Sequence, residues 1–106
     1  MLEKLYAVTR GYNRRFPEGA DPFQMMTRLL EESGELAKEV NHFEGTGVKR
    51  QKYGEPDKAK LAHEVRHVLT CALQVVLHYE VEAELEADVE WAYQRLKTEG
   101  RLEEKP

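Results

Sequence analysis

Apolar side chains recur every three or four residues along most of the chain, and this spacing predicts four amphipathic helices. The first helix is predicted from Leu2 to about Phe16, where Pro17 ends it. The second helix begins at Asp21 and Pro22, because aspartate caps a helix and proline is tolerated at the first helical position. Local signals therefore place the first two helices and the break between them.

The second helix ends at Gly45, since glycine readily adopts the left-handed conformation of a helix end. Residues 45–56 contain three glycines and a basic centre, which predicts a long mobile loop. Asp57 caps the third helix, which is broadly apolar and therefore predicted to be the most buried. A break near residues 80–82 separates it from a fourth helix that Gly100 closes. The pattern predicts an all-α bundle.

Composition restricts the function classes. The 106 residues allow one domain, residues 1–106, whose small core favours self-association. The chain has 20 acidic and 16 basic residues, a balance that argues against a general nucleic-acid binder. Cys71 is the sole cysteine, so no internal disulfide forms. No apolar run is long enough to span a membrane, and the first residues lack a signal-peptide pattern, so we expect a cytoplasmic protein.

Polar side chains form a stripe on each of the two central helices. Glu32, Glu35 and Glu39 share one face of the second helix with Arg28 and His42. The stripe on the third helix comprises Lys60, Glu64, His67, Cys71, Gln74 and His78. Buried charge is costly unless it is paired or bound to a metal, and carboxylate oxygens suit Mg²⁺ or Mn²⁺. The two stripes therefore predict a divalent-metal site, with an ordinary solvated helix face as the alternative interpretation.

The stretch Arg28-Leu-Leu-Glu-Glu-Ser-Gly-Glu-Leu-Ala-Lys-Glu-Val40 resembles the first motif, E-E-x-x-E, of the MazG-like all-α nucleoside triphosphate pyrophosphohydrolases. The second motif of that family, E-x-x-D, is matched at Glu64, but His67 stands at the aspartate position. The resemblance covers roughly residues 20–101. It implies a four-helix MazG-like bundle that assembles as a homodimer or homotetramer. It also implies Mg²⁺-dependent cleavage of a nucleoside triphosphate to the monophosphate and pyrophosphate.

The resemblance also assigns roles to individual residues. It implies metal ligation by Glu32, Glu35 and Glu64, with His67 in the fourth position, and catalytic roles for Glu31 and Glu35. A triphosphate also needs cations, and the candidates are basic residues of the loop, the third helix and the C-terminal region: Lys49, Arg50, Lys60, Lys97 and Arg101. The base could stack on one of several rings, and the candidates are Tyr12, Phe16, Phe23, Tyr53, Trp91 and Tyr93.

His67 leaves several interpretations open. An imidazole in place of a carboxylate favours Mn²⁺ or another nitrogen-tolerant ion over Mg²⁺, and the first interpretation is an altered but active phosphohydrolase. The second is a weak or inactive helical dimer that binds a nucleotide or a protein partner. A remote third follows from His63-Glu64-Val65-Arg66-His67, which matches the zinc-hydrolase pattern H-E-x-x-H. Cys71 is interpreted as a small buried apolar residue rather than a soft metal ligand.

Overall fold

A computed structural model describes residues 1–45 and 54–103. Its helices are α1 (Leu2–Arg15), α2 (Pro22–Glu44), α3 (Lys58–Tyr79) and α4 (Glu82–Thr98), with a short 3-10 helix at Pro17–Gly19. The described residues contain no strand, so the all-α prediction is confirmed. None of their helices combines the length and the apolarity that crossing a membrane requires.

The predicted helix ends are confirmed where they are described. Asp21 accepts hydrogen bonds from the backbone N–H of Phe23 and Gln24, at 2.7 and 3.3 Å, and so caps α2. Asp57 accepts one from Ala59 at 2.8 Å and caps α3. Gly45, with a φ of 69°, and Gly100, with a φ of 70°, follow α2 and α4 in the left-handed conformation. These local signals therefore fix where α2, α3 and α4 begin or end. The predicted loop over residues 45–56 lies mostly outside the described residues.

The central helix is α3, which packs against both α2 and α1. Its buried residues are Thr70 and Leu73, while Met25 is buried on α2 and Thr9 on α1. The Thr9 side chain is fully buried, and its hydroxyl donates to the carbonyl of Leu5 at 2.7 Å. The core of the described chain is thus formed where α3 packs against α1 and α2, and it is small.

The fourth helix is different, because it contacts mainly α3 and none of its residues is buried. Glu80 joins it to α3 in the left-handed conformation, and the Val81 amide donates to the carbonyl of Val76 at 3.1 Å. The radius of gyration is 16.9 Å, against roughly 13 Å for a compact domain of this length. Three of the described helices therefore pack together and α4 extends from them, and the four-helix bundle stays a prediction.

Candidate metal centre

The structure brings together two carboxylates and an imidazole at the α2–α3 interface. Glu32, Glu64 and His67 each offer a ligand atom, and these atoms lie within 4.8 Å of one another. Glu32 projects from α2, while Glu64 and His67 lie one turn apart on α3 and therefore share a face. Three of the four predicted metal ligands are thus adjacent in the folded chain.

His67 makes the shortest contact in this group. Its Nδ1 lies 2.9 Å from Oε2 of Glu32 and 3.8 Å from Oε2 of Glu64. Because an ionised carboxylate can only accept, Nδ1–H is the donor and Nε2 is left for another partner. A carboxylate that fixes an imidazole through one ring nitrogen is a common way of orienting a histidine toward a metal.

The two carboxyls titrate in opposite directions. Burial acts to raise the pKa of Glu32, but the hydrogen bond from His67 and the interaction with Glu64 outweigh it, so the pKa lies below the ordinary value. Burial raises the pKa of Glu64, and the adjacent Glu32 carboxylate raises it further. Without a metal the pair therefore holds an ionised Glu32 beside a Glu64 that retains its proton more readily.

One oxygen of Glu64 supports a fit to a divalent cation. Oε2 of Glu64 is buried and accepts no hydrogen bond among the residues that the structure describes. An unpartnered buried carboxylate oxygen is costly, and an ion placed between Glu32 and Glu64 would satisfy it. The donor set of two carboxylates and one imidazole fits Mn²⁺, and also Mg²⁺, which prefers oxygen.

The two other predicted glutamates lie outside this group. Glu35 is half exposed and pairs with Lys38 at 3.5 Å, although its charge is close enough to raise the pKa of Glu64. Glu31 is exposed. Farther along α2, His42 is buried and its Nε2 lies 2.7 Å from the carbonyl oxygen of Gly54. The polar stripe predicted on α2 therefore contributes Glu32 to the candidate metal centre, and at His42 it connects the end of the helix with the chain before α3.

None of the predicted cations that the structure describes forms an ion pair with Glu32 or Glu64. Lys60 is exposed in the first turn of α3, Lys97 is exposed near the end of α4, and Arg101 pairs with Glu99 at 3.1 Å. Lys49 and Arg50 lie outside the described residues. The roles assigned to these five basic residues stay predictions.

His63 and Cys71, the other two potential ligands near His67 on α3, do not belong to the ligand group. His63 is exposed and its ring contacts that of His67 at a tilt of 56°, with the centroids 4.2 Å apart, but it lies outside the ligand group. Cys71 lies beside the centre in a half-buried position, and burial together with the charge of Glu32 raises the pKa of its thiol. A thiol that keeps its proton is a poor metal ligand, which fits the interpretation of Cys71 as an apolar side chain.

Sequence reasoning did not assign a role to two cations that the structure places next to the metal centre. Arg28 and Arg66 line a cavity that Glu32 and His67 also border. Arg28 lies four residues before Glu32, so helical spacing indicated its position. Arg66 lies in the apolar helix α3 beside His67, and only its position within the second motif could have marked it.

Comparison with known proteins gives one informative match. No protein-family model matches the chain, and no solved structure matches it. The chain is 37% identical over 71 residues to a protein of Bacillus subtilis (strain 168) named "uncharacterized protein YpjD". The matched stretch is 66% of this chain and spans 64% of the length of that relative. The likeness relates the two chains, and the name of the relative carries no activity over to this one.

Proposed function

We propose that this protein is a metal-dependent nucleotide pyrophosphohydrolase of the MazG-like kind. The observation that carries the proposal is the grouping of Glu32, Glu64 and His67 within 4.8 Å of one another at the α2–α3 interface. These residues come from the two stretches that resemble the two motifs of the family. A bound divalent ion would neutralise charge on the phosphate oxygens.

Each acidic residue of the site has its own role in the proposed reaction. Glu32 and Glu64 would hold the ion, with His67, oriented by its 2.9 Å hydrogen bond to Glu32, as the third group. Glu35 lies one turn after Glu32 and is half exposed, in a solvent-screened pair with Lys38, and its carboxylate would take a proton from the attacking water. The water oxygen bonds to the α-phosphorus, the bond from that phosphorus to the bridging oxygen breaks, and pyrophosphate leaves.

A second candidate function follows from the same hydrogen bond. His67 already occupies one oxygen of Glu32 with a 2.9 Å hydrogen bond without a metal. A chain of this kind would bind a nucleotide or a protein partner without turning it over, and this is the alternative proposal. The two differ in whether a product appears.

The proposal includes assembly with a second copy of the chain. On α2, Phe23 is 82% exposed and Leu30 is 68% exposed, and on α4 Val89 is 59% exposed. Monomeric proteins rarely leave large apolar patches uncovered. In a homodimer or homotetramer, the exposed apolar residues of α2 in one copy would pack against those of α4 in another. This packing would complete the helical bundle.

A pyrophosphate-release assay tests the activity. The protein is incubated with a panel of nucleoside and deoxynucleoside triphosphates plus Mg²⁺ or Mn²⁺, and pyrophosphate and monophosphate are quantified. We expect release from at least one nucleotide, no release by Glu64→Gln, and normal release by Glu86→Gln, which removes the same charge from an exposed position on α4. Absence of product from every nucleotide at high enzyme concentration contradicts the activity, and ligand-induced stabilisation without product supports the alternative.

A further inference from the structure

A cavity of about 350 Å³ lies between α1, α2 and α3. Tyr12 and Phe16 of α1 form part of its wall, and Cys71 of α3 contributes another part. Glu32 and His67 border it, so the cavity adjoins the candidate metal centre. Its volume is within the range of small-molecule sites.

The guanidinium group of Arg28 enters this cavity with only neutral partners. Its Nη2 donates to the carbonyl of Gly19 at 2.7 Å and to Oε1 of Gln74 at 3.3 Å. The amide of Gln74 in turn donates to Oδ1 of Asn13 at 3.1 Å, which fixes the oxygen toward Arg28. The contacts orient the cation and leave its charge uncompensated.

Arg66 enters from α3 in a similar way. Its Nη1 donates to the hydroxyl of Tyr12 at 3.3 Å, and its guanidinium carbon lies 5.6 Å from the centre of the Tyr12 ring. Among the residues that the structure describes, neither Arg66 nor Arg28 forms an ion pair with a carboxylate. Glu32, the acidic residue that borders the cavity, is engaged by His67.

Two half-buried guanidinium groups without a counter-ion attract an anion. Each guanidinium has five N–H donors, and the contacts described use two on Arg28 and one on Arg66. The positive charge of both also acts on Cys71, since it opposes the burial and the Glu32 charge that raise the pKa of the thiol. The cavity therefore carries two positive charges from the arginines and borders one carboxylate, that of Glu32.

We infer that this cavity is an oxyanion site in which Arg28 and Arg66 hold a phosphate group by charge-assisted hydrogen bonds. The site needs no divalent ion, because its positive charge comes from the chain. In identifying the oxyanion with the phosphate chain of a nucleotide, the inference rests on the proposed function.

The test uses inorganic pyrophosphate as the probe, in excess EDTA, with binding measured by titration calorimetry. We expect the wild-type protein to bind pyrophosphate. We expect the affinity of Arg66→Met and of Arg28→Met to be at least about tenfold lower, since each loses charged hydrogen bonds. Arg10→Met is the matched control, because Arg10 also stacks on a tyrosine, Tyr6, at 5.5 Å but is exposed on α1. We expect its affinity to equal that of the wild type.

A second variant separates binding from folding. Arg28 also secures the chain at Gly19, so thermal unfolding is recorded for every variant, and Arg66→Lys keeps a charge without the planar group. Intermediate binding by Arg66→Lys supports the site. The inference is overturned if wild-type protein does not bind pyrophosphate in EDTA, if both methionine variants bind as tightly as wild type, or if a nucleoside without phosphates binds in its place. Since EDTA removes metal chemistry, failure of turnover and failure of this site give separate results.

Discussion

Nδ1 of His67 lies 2.9 Å from Oε2 of Glu32, and this hydrogen bond joins α3 to α2 at the centre of the candidate site. It places an imidazole where the resemblance implies an aspartate. The imidazole fixes Glu32 in the ionised form and leaves Glu64 with a buried oxygen that has no hydrogen-bond partner among the described residues. The chain thus combines an oriented first carboxylate with a second one that a cation would satisfy.

Replacing His67 tests what the imidazole does to metal preference. We expect His67→Asp to strengthen Mg²⁺ binding by about tenfold or more, because it adds a hard oxygen ligand and a negative charge. His67→Asn is the matched control, since it has the shape of aspartate without the charge, and we expect it to weaken binding. Titration calorimetry with MgCl₂ measures both. Equal affinities for the two variants would show that position 67 does not contact the ion.

Metal affinity should rise with pH. The pKa of Glu64 is raised above its ordinary value of 4.5, so an ion must displace a proton from Glu64 until the pH exceeds that raised pKa. We therefore expect the affinity for Mn²⁺ to increase from pH 4.5 toward neutrality, with proton release during titration. An affinity that stays constant over this interval, in buffers of matched ionic strength, would contradict the assignment of Glu64 as a ligand.

The metal-free protein should show the opposite trend in the same interval. Because the pKa of Glu64 is raised, its contribution to stability is complete below 4.5 and is lost as the pH rises through the raised pKa. Glu32 has a lowered pKa, so its contribution is present above 4.5 and is lost as the pH falls through the lowered one. Thermal unfolding in EDTA, compared between wild type and Glu64→Gln, measures the Glu64 part. Identical pH profiles would contradict it.

Leu30 tests the proposed assembly. We expect Leu30→Gln to raise the dissociation constant of the oligomer by tenfold or more, since it places a polar group in an apolar interface. Val8→Gln is the control, because Val8 is a 41% exposed apolar residue on α1, away from the α2 stripe. Sedimentation velocity over a range of concentrations measures both. A wild-type protein that remains monomeric at all concentrations would contradict the assembly.

Gly11 offers a test of the helix interior. It lies within α1, is exposed, and a Cβ built on it meets no atom within 4 Å. We expect Gly11→Ala to increase the free energy of unfolding by about 0.5–1 kcal/mol, because alanine loses less backbone entropy on entering a helix. Thermal or urea unfolding measures the change. A decrease would show that the backbone at Gly11 is not an ordinary helix interior.

The features predicted well from sequence depend on neighbours along the chain. Asp21, Asp57, Gly45 and Gly100 mark helix ends because capping uses backbone groups only a few residues away. The alignment of Glu64 with His67 follows likewise from helical spacing, and the structure adds the contact with Glu32. Interactions between residues close in sequence were sufficient to predict these features.

The features that sequence could not supply depend on distant contacts. Periodicity predicted α4 as an amphipathic helix but not what covers its apolar side chains, and Val89 and Leu96 are exposed on one chain. The contact of Arg66 with Tyr12 joins residues 54 positions apart, so no local sequence pattern could predict it. The cavity with its two arginines arises from how three helices pack, which spacing along one helix does not specify.

Binding of Mn²⁺ to the purified protein, followed by titration calorimetry at neutral pH, tests the central claim most directly. The claim predicts saturable binding by wild type and by the control Glu86→Gln, and at least a tenfold loss of affinity in both Glu32→Gln and Glu64→Gln, which lack one ligand charge each. Folded variants, verified by circular dichroism, are compared. Binding by Glu32→Gln and Glu64→Gln as tight as that of the wild type, or no saturable binding by the wild type, would contradict it.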